Sequence, residues 1–226
     1  MQKLYLSAGY LRHHVMPMFN PSSLLRPISR LLPCPLCSSS LQMQHGVCHD
    51  CWEQLPWYRQ TVERQELDIH VACGYQYPID RIIQQFKYEQ QLNYQQLLTA
   101  SILTLRLPKV QAIVPMPIST ERLIERGYNQ SLVIAKILAR ELNVPVWQPV
   151  IRLAQHSQKG LSRLERLNQI EMQFQPILTE RRRYRRVLML DDVVTTGSSL
   201  SALAQALTRL GCQHIFAACI AAAETA

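Results

Sequence analysis

The sequence predicts an α/β protein, a mostly parallel sheet with helices on both faces, carrying a small four-cysteine unit on its N-terminal side. Three observations predict this. Apolar strand-like runs alternate with helix-period runs from His70 onward, which implies right-handed crossovers between parallel strands. Two C-x-x-C pairs, Cys34 with Cys37 and Cys48 with Cys51, stand ten residues apart. An apolar run, "VLML", leads straight into Asp191 and Asp192 and then into a hydroxyl-rich turn.

In chain order, residues 1–23 read as a tail. They mix His13, His14, Pro17, Asn20 and Pro21 with scattered apolar residues. The basic, apolar and small-residue segments of a secretory signal are not there. Met16 and Met18 are alternative starts on this reading.

Residues 24–60 hold the cysteine unit. Each C-x-x-C makes a tight turn that points two thiolates at one centre. Two such knuckles close a tetrahedral S₄ site suited to one structural Zn²⁺ per chain. Gly46 allows the sharp return before the second knuckle. Four cysteines are also a set that ligates iron–sulfur clusters, and disulfides are the alternative in an oxidising compartment. His45 and His49 read as bystanders, because four thiolates fill the site. A stretch this short has no core of its own, so metal would supply folding free energy. Trp52, Trp57 and Tyr58 could stack on bases, but they are expected instead to pack the unit onto the larger domain. The polar "RQTVERQELD" is expected to be the boundary between the two.

The α/β domain is assigned to residues 68–226. "HVACGYQY" reads as a strand, Pro78 opens a helix over "IDRIIQQFKY", and "LLTASILTLRL" reads as a second helix. "QAIVP" is a strand, followed by a loop and the helix "SLVIAKILARELN". There Ile134, Ile137, Leu138 and Leu142 recur at helical spacing and Asn143 is a C-terminal cap. "VPVW" reads as a short strand; residues 152–180 are polar and lack periodicity. The rest is strand "VLML", helix "LSALAQALTRL", Gly211 as stop signal, and strand "HIFAACIA". Cys73, Cys212 and Cys219 read as small buried hydrophobes.

Open parallel sheets bind ligands beyond the carboxyl ends of their strands, and Asp191 and Asp192 sit at such an end. The next helix is expected near Ser199. Thr195, Thr196, Gly197 and Ser198 then form the loop at its N-terminus, with free backbone N–H groups and the positive end of the helix dipole. Gly197 permits close approach, and the hydroxyls add donors. This is a phosphate cradle. Two carboxylates would repel a bare phosphate, but they suit a ligand that also offers hydroxyl donors, as a ribose does. The P-loop and dinucleotide-binding glycine motifs are absent.

"VLMLDDVVTTGSS" resembles the phosphoribosyl pyrophosphate signature of type I phosphoribosyltransferases. "IVPMPISTERLIERGYNQSLVIAKILARELNVPV" and "QHSQKGLSRLERLNQ" are similar to stretches that mark the ComF/GntX family, competence-associated proteins of phosphoribosyltransferase type. The resemblance covers about residues 30–222. It implies that Asp191 and Asp192 bind the ribose hydroxyls, and that Thr195, Thr196, Gly197, Ser198 and Ser199 hold the 5′-phosphate. It implies a pyrophosphate loop at Pro117, Ile118, Ser119 and Thr120, with Arg122 and Arg126 just beyond. Gln158, Leu161, Ser162, Arg166 and Asn168 match the family's flexible segment, which would close over the site. Arg163 reads as a solvated surface residue. The implied chemistry is displacement of pyrophosphate at C1 of ribose, with Mg²⁺ and cations neutralising the departing diphosphate. The resemblance also includes an N-terminal zinc ribbon. Members are not all demonstrated enzymes, and no nucleobase-selecting hood is recognisable. The family commonly has a glycine soon after its Lys-Tyr pair, where this chain has Glu89, Gln90 and Gln91 after Lys87 and Tyr88.

The composition fits these readings. With 226 residues, 47% of them hydrophobic, the chain can bury one good-sized core plus an appendage. No apolar stretch reaches membrane-spanning length, so no integral membrane protein is expected. An odd cysteine count and no secretory signal point to the cytoplasm. The formal charge of +8 suits a polyanionic or phosphorylated partner. "RRRYRR", Arg181 to Arg186, reads either as a clasp for single-stranded DNA or as a solvated connector whose stems cover apolar surface. Two functions follow from this sequence. One is a ribose-phosphate site serving DNA uptake or utilisation, with the DNA-uptake machinery as partner. The other is a single-strand-binding protein that keeps the fold without turnover.

Overall fold

The computed structural model describes residues 32–41, 45–153, 173–177 and 179–223. The tail 1–23 and the whole of "QHSQKGLSRLERLNQ", with Gln158, Ser162 and Arg166, lie outside the described residues. The elements are α1 (His49–Glu53), β1 (Trp57–Arg64), β2 (Leu67–Gly74), α2 (Ile79–Tyr88), a 3₁₀ turn (Leu92–Tyr94), α3 (Gln95–Leu103), β3 (Ala112–Pro115), α4 (Thr120–Arg126) and α5 (Gln130–Glu141). They continue with β4 (Val150–Arg152), β5 (Phe174–Pro176), β6 (Arg186–Val194), α6 (Ser198–Arg209) and β7 (His214–Ala222).

Five strands form one sheet in the order β1-β2-β7-β6-β3. β2, β7, β6 and β3 run parallel, and β1 joins the edge as an antiparallel hairpin partner of β2. β4 and β5 make a separate two-stranded sheet. Side chains alternate across the sheet as strand geometry requires. Leu188, Leu190, Ala218 and Ile220 face one core with α2, α3 and α5; Val187, Met189, Ala217 and Cys219 face the other, with α6, Trp147 and Phe174. Helices thus cover both faces, as the alternation of runs predicts.

The helices form for readable reasons. In α2 the buried residues are Ile79, Ile82, Ile83 and Phe86, one stripe at helical spacing. The Asn129 side chain caps α5 by accepting the Leu132 N–H. Asn143 does stand just past the end of α5, at φ 53°. The turn after Tyr88 is made without glycine, by Gln90 at φ 55°. Cys73, Cys212 and Cys219 are all buried.

Four readings need correction. The polar stretch expected as a boundary is β1 and the tight turn of its hairpin, so the main sheet begins at Trp57 rather than near 68. Its pattern is legible only in hindsight, because an edge strand buries little and here only Val62 is buried. β6 does not stop at the carboxylates but continues to Val194, paired with Ala222. "VPVW" forms a single bridge, Ile113 to Val146, and no strand. The loop expected after Thr120 is the short helix α4, held by Ser119 at its start and Gly127 at φ 78° at its end.

Candidate functional site

The site is built at the carboxyl edge of β6. Asp191 and Asp192 are consecutive residues near the end of that strand. Asp192 is buried and meets Lys87, from the last turn of α2, with Nζ 2.8 Å from Oδ1. Asp191 accepts a hydrogen bond from Ser131 Oγ at 3.2 Å, at the start of α5. Burial first, and the neighbouring Asp192 charge second, push the Asp191 carboxyl up to about 7.

β6 gives way to the loop that the sequence reads as a phosphate cradle. Gly197 sits at φ 79° and is the N-cap of α6, so the loop meets the helix N-terminus as expected. The helix begins one residue early, at Ser198. Thr196 Oγ1 and Ser198 Oγ lie 3.0 Å apart, and the Ser198 N–H points to Thr196 Oγ1 at 3.5 Å. The two hydroxyls are therefore held together at the helix start, beside backbone N–H groups that α6 leaves unpaired.

The loop after β3 comes alongside. Met116 N–H donates to Leu190 O at 2.8 Å, which sets Pro117, Ile118, Ser119 and Thr120 next to the acidic pair. Asn129 Nδ2 donates to Met116 O at 3.0 Å, so one asparagine both caps α5 and tethers this loop. Ser119 Oγ accepts the Arg122 N–H. Arg126 is held by two other side chains, with Nη2 3.1 Å from Tyr88 Oη and Nη1 3.3 Å from Gln130 Oε1. The sequence reading missed Arg152, on β4. Its guanidinium lies over the Phe174 ring at 5.2 Å, and burial and the Arg122 charge lower its pKa while Asp191 opposes them. Lys87, Ser131 and Asn129 were missed as well. Lys87 follows directly on the buried stripe of α2, the signal that could have found it.

The cysteine quartet is compact. The four Sγ atoms of Cys34, Cys37, Cys48 and Cys51 all lie within 4.8 Å of one another. A tetrahedral Zn–S₄ centre at 2.3 Å separates its sulfurs by about 3.8 Å; Cys37 Sγ and Cys48 Sγ are 3.7 Å apart. The Cys48 N–H points at Cys34 Sγ at 3.4 Å, a backbone donor aimed at sulfur. These features fit a tetrahedral thiophilic ion. Gly46 makes the return at φ 79°. Neither nearby histidine joins the quartet; the His45 ring instead packs on Trp52. Trp57 donates from Nε1 to Trp52 O and meets its ring at 4.7 Å, so these tryptophans join the unit to the sheet.

Two carboxylates and a hydroxyl loop thus meet at one carboxyl edge of the sheet, and residues 128–225, which include them, match the family model described as a phosphoribosyl transferase domain. The chain is 30% identical to Competence protein F of Haemophilus influenzae, over 80% of this chain and 81% of that protein. It is 28% identical to Competence protein ComFC of Bacillus subtilis, over 79% and 72%. It is 27% identical to DNA utilization protein YhgH of Escherichia coli, over 83% and 82%. The chain belongs to the ComF family.

Proposed function

We propose that the carboxyl edge of the sheet binds phosphoribosyl pyrophosphate or a related ribose phosphate with Mg²⁺, in a protein that serves DNA uptake or DNA utilisation in the cytoplasm. The observation that carries this reading is the juxtaposition of Asp191 and Asp192 with the Thr195–Ser199 loop on one strand, turn and helix. Ionised, the two carboxylates accept the ribose hydroxyls. The loop N–H groups and the hydroxyls of Thr196 and Ser198 donate to the 5′-phosphate. Pro117 to Thr120 and Arg122 take the diphosphate, with Gln158, Ser162 and Arg166 as its cover and Arg126 at the flank. Among the described residues the cysteine quartet is the one cluster of three or more metal-ligating side chains. A Mg²⁺ ion would therefore arrive on the diphosphate, its shell completed by ligand oxygens and water. Zn²⁺ is the metal we assign to Cys34, Cys37, Cys48 and Cys51.

The test is thermal. At a ligand concentration about 100-fold above Kd, phosphoribosyl pyrophosphate with Mg²⁺ adds roughly 2.7 kcal/mol, a rise of about 5–10 °C. Asp191→Asn with Asp192→Asn abolishes the rise. An unchanged rise in that double variant overturns the reading.

A second reading, single-stranded DNA binding, is favoured by charge at the opposite edge. The segments that precede β3, β6 and β7 meet at the amino ends of the strands, as seen in the Arg186 Nε to Lys109 O contact at 3.2 Å. They place Lys109, Arg185 and Arg186 at that edge, next to the exposed Arg181, Arg182 and Arg183, with Glu180 accepting the Arg182 N–H. Such a single-sign surface suits a phosphate backbone. Tyr184 is not available for base stacking, because it packs against Trp147 with ring centroids 5.1 Å apart.

A further inference from the structure

The hydroxyl loop has a neighbour from far away in the sequence. Arg64 is the last residue of β1, 131 positions before Thr195, and its Nε donates to Thr195 O at 3.2 Å. Its stem covers the loop: a Cβ placed on Gly197 would lie 2.6 Å from Arg64 Cβ and 3.4 Å from Arg64 O. Gly197 is therefore required twice, for its positive φ and for the side chain packed upon it. The position of Arg64 is fixed by the two-residue turn that follows, Gln65 at φ 52° and Glu66 at φ 60°, which pairs Arg64 with Leu67.

The charge around the site makes this contact matter. A phosphate dianion beside two carboxylates is held more strongly where a cation adds a charge-assisted hydrogen bond to the loop's N–H groups. Lys87 is committed to Asp192, and Arg126 to Tyr88 and Gln130. Arg152 lies on Phe174 in the field of Arg122. Among the described residues Arg64 is the one cation hydrogen-bonded to the Thr195–Ser199 loop, and none of their carboxylates forms an ion pair with it. Its Nη1 donates to Glu63 O, and its Nη2 has no partner among them.

We propose that Arg64, presented by the β1–β2 hairpin, supplies the positive charge of the phosphate subsite and selects ligands that carry a terminal phosphate on the sugar. The proposal rests on the ribose-phosphate reading. It adds that the hairpin at the sheet edge is part of the site, and that phosphate affinity depends on charge at position 64 rather than on the loop's amides alone.

Calorimetry with two probes, ribose 5-phosphate and magnesium pyrophosphate, tests it on the full chain. Charge-assisted hydrogen bonds contribute enough that Arg64→Gln should weaken ribose 5-phosphate at least about 10-fold. Magnesium pyrophosphate, held on the β3 side, should change less than about twofold. Arg64→Lys, which keeps charge but not the guanidinium fork, should restore most of the ribose 5-phosphate affinity. Arg64→Gln keeps a donor without charge, so a purely structural clamp predicts the reverse order, with glutamine better than lysine. That reversed order, or wild-type affinity in Arg64→Gln while the Asp191, Asp192 double variant fails to bind, overturns the proposal and leaves the ribose-phosphate reading standing. Wild-type protein that binds neither probe overturns both.

Discussion

Lys87 Nζ lies 2.8 Å from Asp192 Oδ1, whereas the side-chain partner of Asp191 is the neutral hydroxyl of Ser131. The two adjacent carboxylates are thus unequal: one is compensated by a full charge and one is not. Removing one member of a largely buried pair leaves the other uncompensated, so Lys87→Met should cost on the order of 3 kcal/mol. Adding Asp192→Asn should recover most of that loss. Denaturant midpoints of the two single variants and the double variant measure it.

The uncompensated member sets a pH dependence. Asp191 titrates at about 7 in the fold against an ordinary 3.8, so between those values the folded protein holds a proton that the unfolded chain has lost. Stability should therefore fall as pH rises through this window and level off above it. Asp191→Asn should remove that slope. Unfolding midpoints of wild type and variant at half-unit steps from pH 4.5 to about 8 give the comparison. Ribose-phosphate binding should strengthen over the same window, because the ionised carboxylate is the acceptor.

The purified, reduced protein should carry one zinc per chain by elemental analysis. Cys34→Ser or Cys51→Ser should lose the metal and become protease-sensitive. Cys34 and Cys48 belong to the same buried cluster as Ile82, Phe86 and Leu97, so the damage should spread into the α2–α3 face.

Single-stranded DNA binding should fall with salt, with a log–log slope of about −0.7 per phosphate neutralised. Alanine at the exposed Arg181, Arg182 and Arg183 should flatten the slope by about two units, nearly independently of sequence. Asp191→Asn with Asp192→Asn should leave the slope unchanged, since the acids lie at the other end of β6. Equal slopes in wild type and the triple variant would make the run a connector.

Much of this architecture was legible because burial and period coincide. The stripe of α2 and the apolar runs of β6 and β7 are buried where the sequence is apolar. β1 was not legible, because an edge strand with one buried residue carries no alternation. α4 buries nothing and exists through its caps, which look like loop residues in isolation. The acids and the hydroxyl loop could be read because they are contiguous. Lys87, Asn129 and Arg64 could not be read as site residues, since each acquires its role only when the chain brings a distant segment to it.

The strand order carries a consequence for synthesis. The β1–β2 hairpin, from the first third of the chain, has its parallel partner in β7, and β7 in turn pairs with β6. A nascent chain that has reached Arg209 holds the hairpin and the β3–β6 pair but has no strand to join them. Such late, non-local closure is slow and leaves strand edges open in the meantime. Deletion of His214–Ala222 would remove the middle of the sheet rather than trim an end, separating Arg64 from the loop it covers.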